Sequence, residues 1–245
     1  MNHKKLLYMG ASLIFMIVMN VLAVALPFNG LSTAAISDSF KVMFVPAGYV
    51  FSIWGVIYLT QIWFFYKLWK GEKKYKVLID KITWWFVVAN WANGLWLLFW
   101  HYKQIYWTLP TMLILLLSLI VIYLTIKKKF PTVWHLTIPF GIYLGWISVA
   151  TVANVTDVLY SLNWNGFGLA GEYWSSILIL IASLLGFLMI KCQKEYAYSA
   201  VIIWAIVGIY VKFTGNYNIL LAVLVGIAIQ LLAVFYVLDK KKKLK

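Results

Sequence analysis

The chain has 245 residues, of which 64% are hydrophobic, 18% aromatic and only 11% charged, whereas about a quarter of the residues in an average soluble domain are charged. This composition excludes an ordinary soluble globular protein. The formal net charge is +14, and every basic residue is a lysine. Nucleic-acid binding is not expected, because nucleic-acid binders cluster basic residues on one polar face, whereas long apolar runs separate these lysines.

Eight long uncharged runs predict membrane-spanning helices, because about 20 apolar helical residues cross a bilayer core about 30 Å thick. The runs are 6–37, 42–66, 82–102, 104–126, 130–156, 173–190, 196–211 and 213–238. The run 196–211 is marginal in length, and we expect Lys194 and Lys212 to reach the two interfaces and extend it. Because spans in lipid must satisfy their own backbone groups, the sequence predicts an all-α, polytopic membrane helical bundle without strands.

The first run also has the basic start of a secretory signal peptide. It extends from Leu6 to Leu26, which is longer than the apolar region of about 7 to 15 residues in a signal peptide. We therefore expect an anchored helix rather than a cleaved leader.

The lysines indicate the orientation of the predicted spans. With eight alternating crossings, 18 of the 21 lysines fall on one side of the membrane, and Lys41, Lys103 and Lys212 fall on the other. Short cytoplasmic loops carry the excess of basic residues, so both termini are predicted to be cytoplasmic. The net charge is therefore interpreted mainly as an orientation signal.

The reactive side chains predict neither a metal site nor a catalytic residue. His3 lies on the predicted cytoplasmic side, His135 at an inner helix end and His101 at an outer one, so they cannot converge on one metal ion. Histidines at membrane interfaces commonly serve as amphipathic anchors. No P-loop, GxSxG or HExxH motif occurs. Asp157 lies near the outer end of the fifth span, and we interpret it as a solvated helix-end carboxylate rather than a proton relay or a cation ligand.

The 14 tryptophans form two groups. Nine lie near predicted helix ends, as in an aromatic belt at the membrane interfaces; they are Trp63, Trp69, Trp84, Trp85, Trp100, Trp107, Trp134, Trp164 and Trp174. Five lie deeper, and a belt does not explain them; they are Trp54, Trp91, Trp96, Trp146 and Trp204.

Three of the deep tryptophans belong to aromatic and polar stripes at helical spacing. The stripes are Phe51, Trp54, Tyr58 and Gln61 in the second span, Asn90, Asn93, Trp96 and Trp100 in the third, and Tyr143, Trp146, Ala150, Asn154 and Asp157 in the fifth. Polar side chains in a span normally face the bundle interior, so we expect the three faces to converge. They either join the helices only, or line a pocket for a flat, largely apolar ligand.

Three motifs occur in order along these stripes. They are Pro46-Ala47-Gly48-Tyr49-Val50-Phe51 with Trp54 and Tyr58, then Asn93, Trp96 and Phe99, and then Pro139, Tyr143-Leu144, Trp146, Ala150-Thr151 and Asn154. In these motifs the chain resembles the TspO/MBR family, the tryptophan-rich sensory proteins that include the mitochondrial translocator protein. Alanine and tyrosine replace a proline and a tryptophan of the family's PPGWVF segment. The family's W-R-x-N end is missing after Asn154, so sterol binding is not carried over.

The resemblance implies a five-helix membrane domain over residues 1–163, followed at 164–245 by a three-helix extension with a basic tail, as in longer bacterial relatives. The expected location is therefore a bacterial cytoplasmic membrane. The ligand implied is a planar hydrophobic compound such as a porphyrin, a tetrapyrrole or heme, and no cofactor is required. The ligand-binding residues implied are Tyr49, Phe51, Trp54, Tyr58, Asn93, Trp96, Tyr143, Trp146 and Asn154.

The loop from residue 27 to residue 44, with Lys41, is the expected lid, where lysine or water would meet the propionates of a porphyrin. The expected partners are the lipid bilayer, the hydrophobic ligand and a second copy of the chain, the homodimer being suggested by the resemblance and by the Gly141–Gly145 spacing. Two alternatives remain open: a transporter of a small metabolite, and, less expected, a membrane enzyme that promotes porphyrin breakdown.

Overall fold

The computed structural model describes residues 3–26 and 28–243. Within these residues the chain forms nine α-helices and no strand, which confirms the predicted all-α fold. The helices are α1 (His3–Ala25), α2 (Thr33–Asp38), α3 (Ile53–Lys70), α4 (Glu72–His101), α5 (Ile105–Lys129), α6 (Trp134–Ser161), α7 (Gly171–Gln193), α8 (Tyr196–Lys212) and α9 (Tyr217–Lys243). A 3₁₀ turn, Gly48–Ser52, leads directly into α3.

Seven of the helices in the described part of the chain are long and apolar enough to cross a membrane. The two others are the short α2 and the apolar α8, which has 17 residues. At 1.5 Å per residue, α8 is about 26 Å long, so it is slightly shorter than the hydrocarbon core, as its run in the sequence predicts. The chain is therefore a multi-pass membrane protein.

Large apolar side chains cover the outer faces of these helices. Leu7, Val24 and Leu232, for example, expose 68%, 79% and 63% of their surface. Exposing such side chains to water is unfavourable, whereas in a bilayer they contact lipid tails that are equally apolar. These helices therefore contact lipid.

The first five long helices form one bundle. In it, α4 packs against α1 and α5, and α6 packs against α3 and α5. The remaining helices join this bundle through α8, which packs along α6, while α7 packs against α8 and α9. The segment before α3 lies between the two groups, because the turn Gly48–Ser52 contacts both α3 and α8.

The Gly141–Gly145 spacing brings α6 close to α8 in the same chain. A Cβ atom on Gly145 would lie 2.9 Å from the Tyr198 carbonyl oxygen, and one on Gly141 would lie 2.7 Å from Glu195 Oε1. The predicted close packing is therefore present, but it joins two helices of one molecule. A homodimer stays a prediction that rests on the resemblance.

Candidate functional site

The polar and aromatic stripes of α3, α4 and α6 meet around a cavity of about 40 Å³. Five of the nine expected ligand-binding residues line it, namely Phe51, Trp54, Trp96, Trp146 and Asn154. The nine expected residues do not include the other polar or aromatic side chains of the wall, which are Ser37, Trp100 and Asp157. Trp100 and Asp157 nevertheless belong to the predicted stripes. Small and apolar residues, including Val45, Pro46 and Ala150, complete the wall.

Trp54 is the centre of the aromatic wall. Its ring centroid lies 6.1 Å from that of Trp146, and the two planes are inclined at 82°. Trp54 also stacks on Tyr58 at 5.9 Å, and Phe51 meets Trp146 edge-on at 5.8 Å. Edge-to-face and offset arrangements are favourable for aromatic rings. The cavity is thus bounded by a rigid set of rings rather than by flexible side chains.

Beneath this wall, Asn93 and Tyr143 form a buried polar layer. Asn93 Nδ2 donates to the Tyr143 hydroxyl at 3.0 Å, and Asn20 Nδ2 donates to Asn93 Oδ1 at 2.7 Å. These bonds connect α1, α4 and α6. Asn93 and Tyr143 therefore join helices and support the cavity from below, instead of lining it.

Tyr49 is an expected site residue that the structure places outside the cavity. It exposes 46% of its surface and meets Trp204 of α8 edge-on, with ring centroids 5.3 Å apart. Tyr49 was expected from the resemblance alone and is not part of the stripe of the second span. In the 3₁₀ turn Gly48–Ser52, Phe51 lines the cavity, while Tyr49 faces α8. Tyr58 packs behind Trp54 and also lies outside the wall.

Four buried polar atoms around the cavity have no hydrogen-bond partner among the residues that the structure describes. They are Nε1 of Trp96, Nε1 of Trp146, Oδ1 of Asn154 and Oδ1 of Asp157. Each of these side chains exposes 6% of its surface or less, and all four line the cavity. Since buried polar groups are nearly always paired, this cluster requires water or a ligand as a partner.

The interpretation of Asp157 as a solvated helix-end carboxylate is wrong. Asp157 exposes only 1% of its surface, because Ser37, Val45 and Pro46 close the cavity beside it. The signal that could have identified it was its place in the stripe of α6, three residues after Asn154. Depth counted along the helix does not reveal that another segment covers the helix end.

Trp100 is not a member of the interfacial belt, although its place at a helix end predicted this. It exposes 3% of its surface, stacks on Trp96 at 5.4 Å and donates Nε1 to the Thr33 carbonyl oxygen at 3.2 Å. His101 is also buried rather than an interfacial anchor. Its Nδ1 donates to the Phe28 carbonyl oxygen at 3.0 Å.

Residues 28–47, which we call the covering segment, lie over one end of the cavity. This is the end that the lysine distribution predicts to be the outer one. They include most of the loop that was predicted to be a lid, whereas residue 27 lies outside the described residues. His101 Nε2 is 3.1 Å from the Thr33 hydroxyl, so α4 holds the start of this segment. Lys41, which was expected at the rim, instead lines a separate groove of about 500 Å³ between the outer ends of α6 and α7.

The C-terminal helices hold the other end of the covering segment and the turn that follows it. Lys212 forms an ion pair with Asp38. Three hydrogen bonds join the same regions, from Ser175 Oγ to Met43 O at 2.8 Å, from Ala47 N to Gly208 O at 2.9 Å, and from Trp204 Nε1 to Val50 O at 3.2 Å. The cavity is therefore closed by contacts from both parts of the chain.

Taken together, these features define a polytopic helical membrane protein with an enclosed, aromatic cavity whose polar groups are partly unsatisfied. The family model of TSPO-like proteins matches residues 6–236, so the chain belongs to the family of TSPO-like proteins. The match extends beyond the five-helix bundle into α9. Comparisons with curated proteins and with solved structures give no match.

Proposed function

We propose that this membrane protein binds a planar hydrophobic ligand, such as a tetrapyrrole, in the cavity between α3, α4 and α6. The observation that carries the proposal is the cluster of four unpaired polar atoms among aromatic rings. Polar groups that only join helices are expected to pair with each other. Asn90 does so, donating Nδ2 to Ser12 Oγ at 3.1 Å, and so does Gln61, donating Nε2 to the Pro139 carbonyl oxygen at 3.2 Å.

The cavity must enlarge before it admits such a ligand. About 40 Å³ is room for a few water molecules, whereas ligand pockets measure about 300 to 1,000 Å³. The covering segment is the wall most able to move, because it consists of the short helix α2 with turns and loops on both sides, and it contributes Ser37, Val45 and Pro46. The free energy of this opening lowers the apparent affinity of the ligand.

We further propose that the protein lies in a cytoplasmic membrane with both termini in the cytoplasm. The lysine distribution supports this orientation, since the two termini and the three loops on that side carry 18 of the 21 lysines. The covering segment then faces the outer side, and the ligand enters from there or from the outer leaflet.

Binding is tested by adding protoporphyrin IX to the purified full-length protein in mild detergent and following the quenching of tryptophan fluorescence. Replacing Trp54 and Trp146 together by phenylalanine should weaken binding about tenfold, since aromatic pairs contribute about 0.5–1.5 kcal/mol each. A double variant of Trp107 and Trp134, which expose 61% and 62% of their surface, removes the same number of indoles from the lipid-facing side. Its affinity should equal that of the wild type.

Two outcomes would contradict the proposal. One is the absence of saturable quenching at micromolar protoporphyrin. The other is equal weakening in the two double variants, because this would indicate partition of the porphyrin at the lipid-facing surface rather than binding in the cavity.

A further inference from the structure

We infer that Asp157 and Asn154 form a subsite at the polar side of the cavity that selects an aromatic ligand carrying an ammonium or another N–H donor. This inference rests on the proposed ligand binding in the same cavity, and it specifies the class of ligand. Both side chains are almost fully buried, at 1% and 2% exposure. Each has an unpaired Oδ1 atom among the described residues.

The orientation of the Asn154 amide follows from its neighbour Thr108. The Thr108 hydroxyl donates its hydrogen to the Ile105 carbonyl oxygen at 2.6 Å, so towards Asn154 it can only accept. Asn154 must therefore direct Nδ2 towards Thr108 Oγ1, which lies 2.8 Å away. This leaves Asn154 Oδ1 as a fixed acceptor at the cavity.

Asp157 adds a second acceptor on the same face of α6, three residues further along the helix. The Lys212 ammonium does not pair with Asp157, because it is bonded to Asp38. Asp157 Oδ1 therefore has no hydrogen-bond donor within the part of the chain that the structure describes. A carboxyl group in a dry, aromatic site is stabilised strongly by a donor that carries positive charge.

The rest of the site fits the apolar part of such a ligand. The rings of Trp54, Trp96 and Trp146 line the cavity beside the two acceptors, so an aromatic ring can stack there while its N–H group meets Asp157. The free indole N–H groups of Trp96 and Trp146 are neutral donors, and they do not provide the positive charge that an anionic ligand needs. A ligand that places a carboxylate at this position meets two acceptor oxygens and is disfavoured.

Three probes of similar shape test this selectivity: 1-naphthylmethylammonium, 1-methylnaphthalene and 1-naphthoate. Their affinities for the full-length protein in detergent are measured by calorimetry. Hydrogen bonds to charged groups contribute about 1.5–3 kcal/mol, so the ammonium probe should bind about tenfold to a hundredfold more tightly than the methyl probe. The carboxylate probe should bind most weakly.

Variants identify the residue responsible for the preference. Asp157→Asn should remove most of the preference for the ammonium, measured as the ratio of the affinities of the ammonium probe and of 1-methylnaphthalene for the same variant. Asp80→Asn removes the same charge at the other end of the bundle, where Asp80 pairs with Lys5 at 2.7 Å, and should keep the wild-type preference. The order of the three affinities in the wild type tests the inference even if Asp157→Asn fails to fold.

The inference is wrong if the ammonium and methyl probes bind the wild type equally, if 1-naphthoate binds as tightly as the ammonium, or if Asp157→Asn keeps the preference. It is also wrong if protoporphyrin binds saturably while none of the three probes binds, in which case the proposed function survives. If neither protoporphyrin nor any probe binds, the proposed function itself fails.

Discussion

Replacing Gly208 by alanine should destabilise the protein by pushing α8 away from the wall of the cavity. A Cβ atom at this position would lie 2.2 Å from Val50 Cγ2 and 3.3 Å from Pro46 Cβ. Carbon atoms in contact are normally about 3.5–4.0 Å apart, so the two segments must separate by about 1.5 Å. Val50 is fully buried, and its branched side chain has little freedom to rotate away.

The magnitude follows from the cost of overpacking a buried contact, which is about 1–3 kcal/mol. The displacement also strains the hydrogen bond from Ala47 N to Gly208 O, which is 2.9 Å long. For a chain of this size, each kcal/mol lowers the midpoint of thermal unfolding by about 2–4 °C. We therefore expect Gly208→Ala to unfold roughly 3–10 °C below the wild type.

Thermal unfolding of the variants is measured in one detergent, with Gly55→Ala as the matched control. A Cβ atom on Gly55, in α3, meets no atom within 4 Å, so this variant has the same gain in helix propensity without the clash. Combining Gly208→Ala with Val50→Ala should recover part of the loss, because neighbouring sites are coupled. Equal midpoints for Gly208→Ala and Gly55→Ala, or effects of Gly208→Ala and Val50→Ala that simply add, would refute the predicted clash.

Two further predictions concern buried polar groups. Asn93→Leu removes the hydrogen bonds to Asn20 and Tyr143. Because interhelical hydrogen bonds in membranes contribute about 0.6 kcal/mol each, the midpoint of thermal unfolding should fall by a few degrees. An unchanged midpoint would contradict this prediction. Burial raises the pKa of the Glu195 carboxyl group, an effect that the charge of Lys127 opposes. The folded state therefore favours the protonated acid, and the stability that this provides is lost as the pH rises through the raised pKa. Glu195→Gln should therefore unfold at a higher temperature than the wild type at neutral pH but not at low pH. If the unfolding midpoints of the two proteins changed with pH in parallel, the prediction would be wrong.

Helical spacing predicted which faces of α3, α4 and α6 meet, because residues three, four or seven apart share one side of a helix. It could not assign separate roles to the members of one stripe. Asn93 and Asn154 lie on stripes of the same kind, but Asn93 is paired on both sides of its amide, while Asn154 keeps a free Oδ1 atom. This difference depends on partners from α1 and α5, and the pattern of one helix contains no information on them.

Burial at the outer helix ends was predicted less well, for a physical reason. Counting residues from the end of an apolar run assumes that water begins where the run ends. At Trp100, His101 and Asp157 this assumption fails, because the covering segment lies over these ends and buries them. The sequence marks that segment only as a loop of mixed polarity, so its position over the cavity is a tertiary feature.

The C-terminal helices take part in closing the cavity without lining it. Val45 and Pro46 form its wall, and they lie between Met43, which accepts a bond from Ser175 of α7, and Ala47, which is bonded to Gly208 of α8. Without these helices the backbone N–H of Ala47 would lose its partner, the Gly208 carbonyl oxygen. Residues 1–163 therefore supply the whole lining of the cavity, and α7 and α8 hold part of that lining in place.

The strengths of these contacts also indicate how the cavity opens. The ion pair between Asp38 and Lys212 is partly exposed, and such pairs contribute at most about 1 kcal/mol. The contact of Val50 with Gly208, in contrast, is buried and close-packed. Opening should therefore begin at the outer rim near Asp38 and pivot about the turn that holds Val50, because this path breaks the weak contact and preserves the strong one.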